Sequence, residues 1–256
     1  MPNNFKMRFF KDDIGNHFAK YKEMLLSSVF QPIFDQHNNI IGVEALIRIK
    51  DQNGNRVCPG FYFSDQNPVN IDKMAIDLIS RILHVNNFAN SQYQDLQLFL
   101  NLLPNSAQKI NSQCQQEVRF INQLKQLNVS SSQIVLELLE MRCDDVRELR
   151  ASVKKINEHG FHVAIDDYGQ EYSNQDRVNL ISPHIVKIDR GLLTEFMQGS
   201  KEKLLDALKV AHNCGAKTVI EGIECQEQLD SMRSLNIDMY QGYFLAMPEP
   251  MIPVAA

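Results

Sequence analysis

The stretch VFQPIFDQHNNIIGVEALIRI, residues 29–49, decides the fold. It holds two apolar runs of strand length, Val29–Phe34 and Ile40–Ile49, rich in β-branched residues. Only Asp35–Asn39, a short polar turn, lies between them. A parallel pair needs a crossover of about a dozen residues, so these two strands must pair antiparallel. Downstream the pattern changes. Leu96–Leu100, Ile134–Leu138, His162–Ile165, Ile185–Ile188, Thr218–Ile220 and Met239–Leu245 read as further strands. Stretches with helical spacing separate most of them, at 71–88, 144–158 and 200–213. In the first, Ile71, Met74, Ala75, Leu78 and Ile82 fall near one face, as core packing requires. Gly160 and Gly215 follow helical runs and precede strands, the place of C-terminal caps. Strand–helix alternation predicts a parallel sheet, open or closed. The antiparallel opening pair favours a modified barrel over a regular one.

The length of 256 residues suits one large α/β barrel or two small domains. No linker, repeat or low-complexity tract divides it, so the chain reads as one domain, 1–256, with residues 1–15 as a lead-in. Lys plus Arg number 26 against 31 Asp plus Glu, a net charge of -5 that argues against a broad basic face for DNA or RNA. A small phosphorylated ligand stays compatible if cations intervene. The cysteines, Cys58, Cys114, Cys143, Cys214 and Cys225, are odd in number and form no CxxC pair. They read as free thiols in a reducing compartment, not as a zinc site. No leader peptide and no membrane span are read, which predicts a soluble, cytoplasmic protein.

The polar residues fall at the strand ends. Leu98–Leu100 runs into Asn101, Ile134–Leu136 into Glu137, and Val163–Ile165 into Asp166 and Asp167. Ile185–Ile188 contains Lys187 and stops at Asp189; Val219–Ile220 stops at Glu221, with Glu224 close behind. One such ending is an ordinary loop residue. Five in succession place carboxylates and an amide on the side of a parallel sheet where ligand sites form. Hard oxygen donors of this kind suit Mg2+ or Mn2+. Adjacent Asp166 and Asp167 can flank two ions, a common device for phosphoester hydrolysis. Lys187, facing such a cluster, would orient a water or stabilise developing charge. Arg48 offers a bidentate phosphate contact.

Read in order, Gly42-Val43-Glu44-Ala45-Leu46-Ile47-Arg48, Phe99-Leu100-Asn101, Glu137-Leu138-Leu139-Glu140, Ile165-Asp166-Asp167-Tyr168-Gly169, Val186-Lys187-Ile188-Asp189, Glu221-Gly222-Ile223-Glu224 and Gln241-Gly242-Tyr243 match one family. The chain resembles EAL-domain cyclic di-GMP phosphodiesterases from about Gln31 to Pro248. The resemblance implies a modified TIM-type (β/α)8 barrel with one antiparallel strand. It implies hydrolysis of cyclic di-GMP to linear pGpG with two Mg2+ or Mn2+ ions, Ca2+ being inhibitory. Glu44, Asn101, Glu137 and Asp166 would bind one ion, Asp166 and Asp167 the second, and Glu221 would support metal or water. Lys187 would assist the hydrolytic water, with Glu44 and Glu221 completing the catalytic set. Arg48, Gln31, Gln241 and Asp189 would contact substrate or orient the site. Glu140 and Glu224 would anchor loops. A homodimer is implied as well.

The chain departs from the family at Gln170-Glu171-Tyr172-Ser173-Asn174, where Thr-Gly-Tyr-Ser-Ser is usual, and at Leu139, where Thr is usual. A glycine is thereby lost from a loop expected to move. The expected first ligands are all present. A nucleotide-binding module without turnover is the alternative reading.

Overall fold

The computed structural model describes residues 7–64, 70–103, 106, 115–138, 146–170 and 174–253. Eleven strands form one sheet: β1 (Met7–Lys11), β2 (His17–Tyr21), β3 (Met24–Asp35), β4 (Ile40–Lys50), β5 (Arg56–Val57), β6 (Gln97–Leu102), β7 (Ile134–Leu138), β8 (His162–Tyr168), β9 (Ile185–Ile188), β10 (Lys217–Ile220) and β11 (Met239–Tyr240). Eight of them close on themselves in the order β3-β11-β10-β9-β8-β7-β6-β4, with β4 returning to β3. β3 runs antiparallel to both neighbours and every other barrel pair is parallel. This is the modified (β/α)8 barrel with one antiparallel strand. The DQHNN turn reverses the chain as its length requires: Asp35 Oδ1 accepts from His37 N at 2.8 Å and Asn39 N at 2.9 Å.

Helices α1 (Pro59–Phe63), α2 (Asn70–Phe88), α3 (Gln115–Gln126), α4 (Val146–Glu158), α5 (Gln175–Ile181), α6 (Arg190–Met197), α7 (Glu202–Asn213) and α8 (Gln226–Arg233) are the described helices between strands. Side chains alternate along each strand. The outward set, such as Leu136, Leu138, Val163, Ile165, Val186 and Ile188, packs under α4 to α7. The inward set builds a separate cluster of Ile33, Phe99, Val135, Ala164, Ile185, Val219 and Met239. Gly42 gives β4's share of that lumen to the Phe99 ring, which would lie 2.8 Å from any Cβ there. Gly160 and Gly215 do cap their helices, at φ 82° and 74°. After each, the next residue donates back to the last turn, Phe161 N to Ile156 O at 3.2 Å and Ala216 N to Ala211 O at 3.0 Å.

Three features go beyond the sequence pattern. The lead-in contains β1, which pairs with β2; β2 in turn pairs with the start of β3. Ala19 and Tyr21 of β2 join Ile76, Ile79 and Leu83 of α2 in a small second core. The last expected strand is cut short. Met239–Leu245 is extended only to Tyr240, because Gln241 to Leu245 turn back, Leu245 N donating to Gly242 O at 3.1 Å. Helices α5, α6 and α8 are only seven or eight residues long, too short for a helical period to stand out in the sequence. Cys58, Cys214 and Cys225 are free thiols, and Cys114 and Cys143 lie outside the described residues.

Candidate active site

The site follows from a step of two residues along each strand. Position i+2 shares the lumen face with position i. Two beyond Phe99, Val135, Ala164, Ile185, Val219 and Met239 stand Asn101, Glu137, Asp166, Lys187, Glu221 and Gln241. Glu44 lies two beyond Gly42, and Gln31 lies two before Ile33 on the reversed strand, opposite Glu44. Every barrel strand therefore adds one polar residue above the apolar lumen.

Lys187 sits at the centre, 1% exposed. Its Nζ lies 2.7 Å from Glu137 Oε1, 2.8 Å from Asp166 Oδ1, 2.8 Å from Glu221 Oε1 and 3.5 Å from Glu44 Oε2. Burial alone would lower the ammonium pKa; the carboxylates of Asp166, Glu137, Glu221 and Glu44 reverse this and hold it well above the usual value. Burial first, and the neighbouring carboxylates next, push Glu137 well above the carboxylate range, with Lys187 opposing. The same causes bring Glu221 to about 8. One cation among four carboxylates leaves a surplus of negative charge. Gln241 Nε2 donates to Glu44 Oε2 at 2.7 Å and fixes that carboxylate.

Adjacent strand residues normally face opposite ways, so Asp166 and Asp167 should not both reach the mouth. The β8–β9 register breaks between Ile165 and Tyr168, and Asp167 takes a left-handed φ of 49°. This bulge turns both aspartates to one side. Carboxylate oxygens of Asp166, Asp167 and Glu221 come within 4.8 Å of one another. Glu137 Oε2 is buried with no hydrogen-bond partner among the described residues. Clustered hard oxygens with an unsatisfied buried acceptor fit a divalent cation.

Two cavities flank Glu44. One, of about 480 Å³, takes in Arg48, Asn101, Asp166 and Asp167, with Asp77, Ser80 and His84 of α2. The other, of about 230 Å³, takes in Gln31, Arg190, Glu221, Glu224, Gln241 and Tyr243. Arg48 is half-buried. Gln31 Nε2 donates to Ala246 O at 3.2 Å, so it holds the chain after β11. Asp189 caps α6 through Gly191 N at 2.7 Å. Glu224 pairs with Arg190, Oε1 to Nη1 at 2.8 Å. Glu140 lies outside the described residues, as do Leu139 and Glu171. The sequence reading missed the α2 wall. Its signal was an Asp, a Ser and a His at positions 77, 80 and 84, at helical spacing on one face of α2. Arg190 was missed, and Gln170 stood out only as a departure without its contact to Asp189, because their partners are remote in sequence.

Fold and site together define a barrel protein with a cation-fitting acidic mouth. The chain belongs to the EAL domain family, whose model matches residues 19–248. The cyclic di-GMP phosphodiesterase PdeF of Escherichia coli (strain K12) is 25% identical over 232 residues, 87% of this chain and 30% of that protein. The probable cyclic di-GMP phosphodiesterase PdeA of the same organism is 24% identical over 136 residues, 52% of this chain and 19% of that protein. The chain thus spans less than a third of these relatives' length. Among solved structures, the Bacillus subtilis YkuI protein, with an EAL domain, in complex with substrate c-di-GMP and calcium, superposes with a TM-score of 0.75 at 25% identity, covering 88% of this chain and 56% of that one. The cAMP-bound EAL enzyme Bd1971 shares the fold at a TM-score of 0.76 and 19% identity, covering 89% and 64%. Among the described residues no helix is long and apolar enough to cross a membrane.

Proposed function

We propose that the protein hydrolyses cyclic di-GMP to linear pGpG with two Mg2+ or Mn2+ ions. The observation that carries the reading is the buried Lys187 ammonium within 3.5 Å of four carboxylates at the mouth of the barrel. Membership of a family whose named relatives include cyclic di-GMP phosphodiesterases supplies the substrate. Glu44, Asn101, Glu137 and Asp166 would hold one ion, and Asp166 with Asp167 the other, with Glu221 beside them. Bound there, such ions would supply a nucleophilic water and charge neutralisation for the phosphodiester oxygens.

The chain's own residues do the rest. Lys187, kept charged by its neighbours, sets a fixed positive charge where the phosphoryl group gains negative charge and orients the attacking water. Gln241 keeps Glu44 from rotating. Arg48 takes a phosphate oxygen from the larger cavity. The two cavities on either side of Glu44 suit a substrate with two nucleotide halves. Water adds hydroxyl to phosphorus and a proton to the ribose oxygen that leaves.

Incubation of the purified protein with cyclic di-GMP and Mg2+ or Mn2+ tests this, with pGpG expected. Absence of product under either ion overturns it; tight binding by calorimetry without product would instead identify a receptor. Calcium alone should not support turnover, because its longer and looser coordination spoils the placement of two ions.

A further inference from the structure

We propose that Gln170 is a positioning residue that clamps the turn carrying Asp167 to the start of α6 through Asp189. The inference rests on the reading above that Asp166 and Asp167 hold a cation. Gln170 Nε2 donates to Asp189 Oδ1 at 2.5 Å. The same oxygen accepts from Gly191 N at 2.7 Å, so the clamp ends on a helix cap and not on a free side chain. At its other end, Gln170 N donates to Asp167 O at 3.1 Å and closes the turn.

That turn needs support. Asp167 and Gly169 both hold positive φ, 49° and 110°. The ladder to β9 lapses after Ile165 and resumes only at Tyr168. There Asp189 N donates to Tyr168 O at 3.1 Å. Asp189 thus grips the turn twice, once through its backbone and once through its carboxylate. Gly169 lets the turn lie on α6: a Cβ there would stand 2.7 Å from Leu192 Cδ1. Only a side chain with an N–H donor and the reach of Gln spans from residue 170 to Asp189. The threonine common in the family at this place lacks that reach.

The consequence falls on Asp167. Its carboxylate meets Asp166 and Glu221 only while the bulge keeps its shape. Groups that orient a ligand, without touching the ion, typically change metal affinity about 10- to 100-fold. Gln170→Ala should therefore weaken Mn2+ binding by about that factor. Its melting temperature without metal should stay unchanged, because Gln170 is exposed. Gln170→Glu, which sets one carboxylate against another, should weaken Mn2+ binding at least as much. Gln170→Asn, which keeps the donor on an arm too short to reach Asp189, should weaken Mn2+ binding as much as Gln170→Ala.

Titration calorimetry with MnCl2 on the full chain, alongside metal-free thermal melts, tests the clamp, with Asp167→Asn as reference. If Asp167→Asn binds weakly while Gln170→Ala stays within about twofold of the native affinity, well short of the expected loss, the clamp is refuted and the cation site stands. If Asp167→Asn binds as tightly as the native chain, the site reading fails and the clamp falls with it.

Discussion

Lys187 is buried away from solvent, and four carboxylates surround its ammonium in place of bulk water. Breaking a buried ion pair from one side leaves an uncompensated charge, typically a loss of about 3–5 kcal/mol. Lys187→Met should lose turnover and fall in stability by about that amount, read by urea unfolding of the metal-free protein. Equal stability of the two proteins would mean that the carboxylates do not depend on it. Glu44→Ala should abolish hydrolysis while leaving the fold intact, checked by product assay with a circular-dichroism spectrum. His84 gives a second residue-scale test. It is buried, hydrogen-bonded to Ser28 Oγ at 2.7 Å, and lowered to about 3, by burial first and Arg48 next. The unfolded chain, with His near 6.5, binds a proton that the folded one refuses between those values. Its contribution to stability is therefore complete above pH 6.5 and drains away as pH falls toward 3. His84→Gln should flatten the acid side of the stability profile; identical slopes of melting temperature between pH 6.5 and 4 would reject this.

Among the elements, β8 and β11 matter most. β8 ends in a bulge that makes two adjacent aspartates neighbours on one side. β11 is two residues long, yet the turn after it delivers Gln241 to Glu44. That turn is tight: a Cβ on Gly242 would fall on the Ile223 backbone, 2.1 Å from its carbonyl oxygen. Backbone yields less readily than a side chain, and overpacking typically destabilises by about 1–3 kcal/mol. Gly242→Ala should lose about that much in equilibrium urea unfolding. It should also lower kcat, since Gln241 moves with the turn; unaltered stability would show the turn to be slack. These two elements also mark where sequence reading falls short. Spacing can place a strand, but a bulge and a two-residue strand are set by what their neighbours allow.

For the whole molecule, the surplus of carboxylates at the mouth is what a bound cation would relieve. A ligand that binds only the folded state adds about 2.7 kcal/mol at 100 times its Kd. For a chain of this size that corresponds to a rise in melting temperature of roughly 5–10 °C. Saturating Mn2+ should produce it, and EDTA should reverse it; no shift with either ion would remove the cation site. The net charge of -5 is compatible with the proposed phosphodiester ligand, because cations held at the mouth would invert the sign there.

By itself the sequence determined where most of the barrel strands lie along the chain, the reversed opening pair and the residues of the mouth. Each of these follows from local rules: the DQHNN turn is too short for a crossover, and polar residues recur where apolar runs end. Glu44, Asn101, Glu137, Asp166, Lys187, Glu221 and Gln241 were all legible in this way or through the family's motifs. Only the tertiary structure decided what they do to one another. The closure of the barrel brings Lys187 against four carboxylates from four other strands, and moves the pKa values of Lys187, Glu137 and Glu221 by burial and by charge. It also decided that β2 and α2 form a second core, that His84 borders the larger cavity, and that Gln170 finds Asp189. Those contacts join residues far apart along the chain, and no local propensity encodes them.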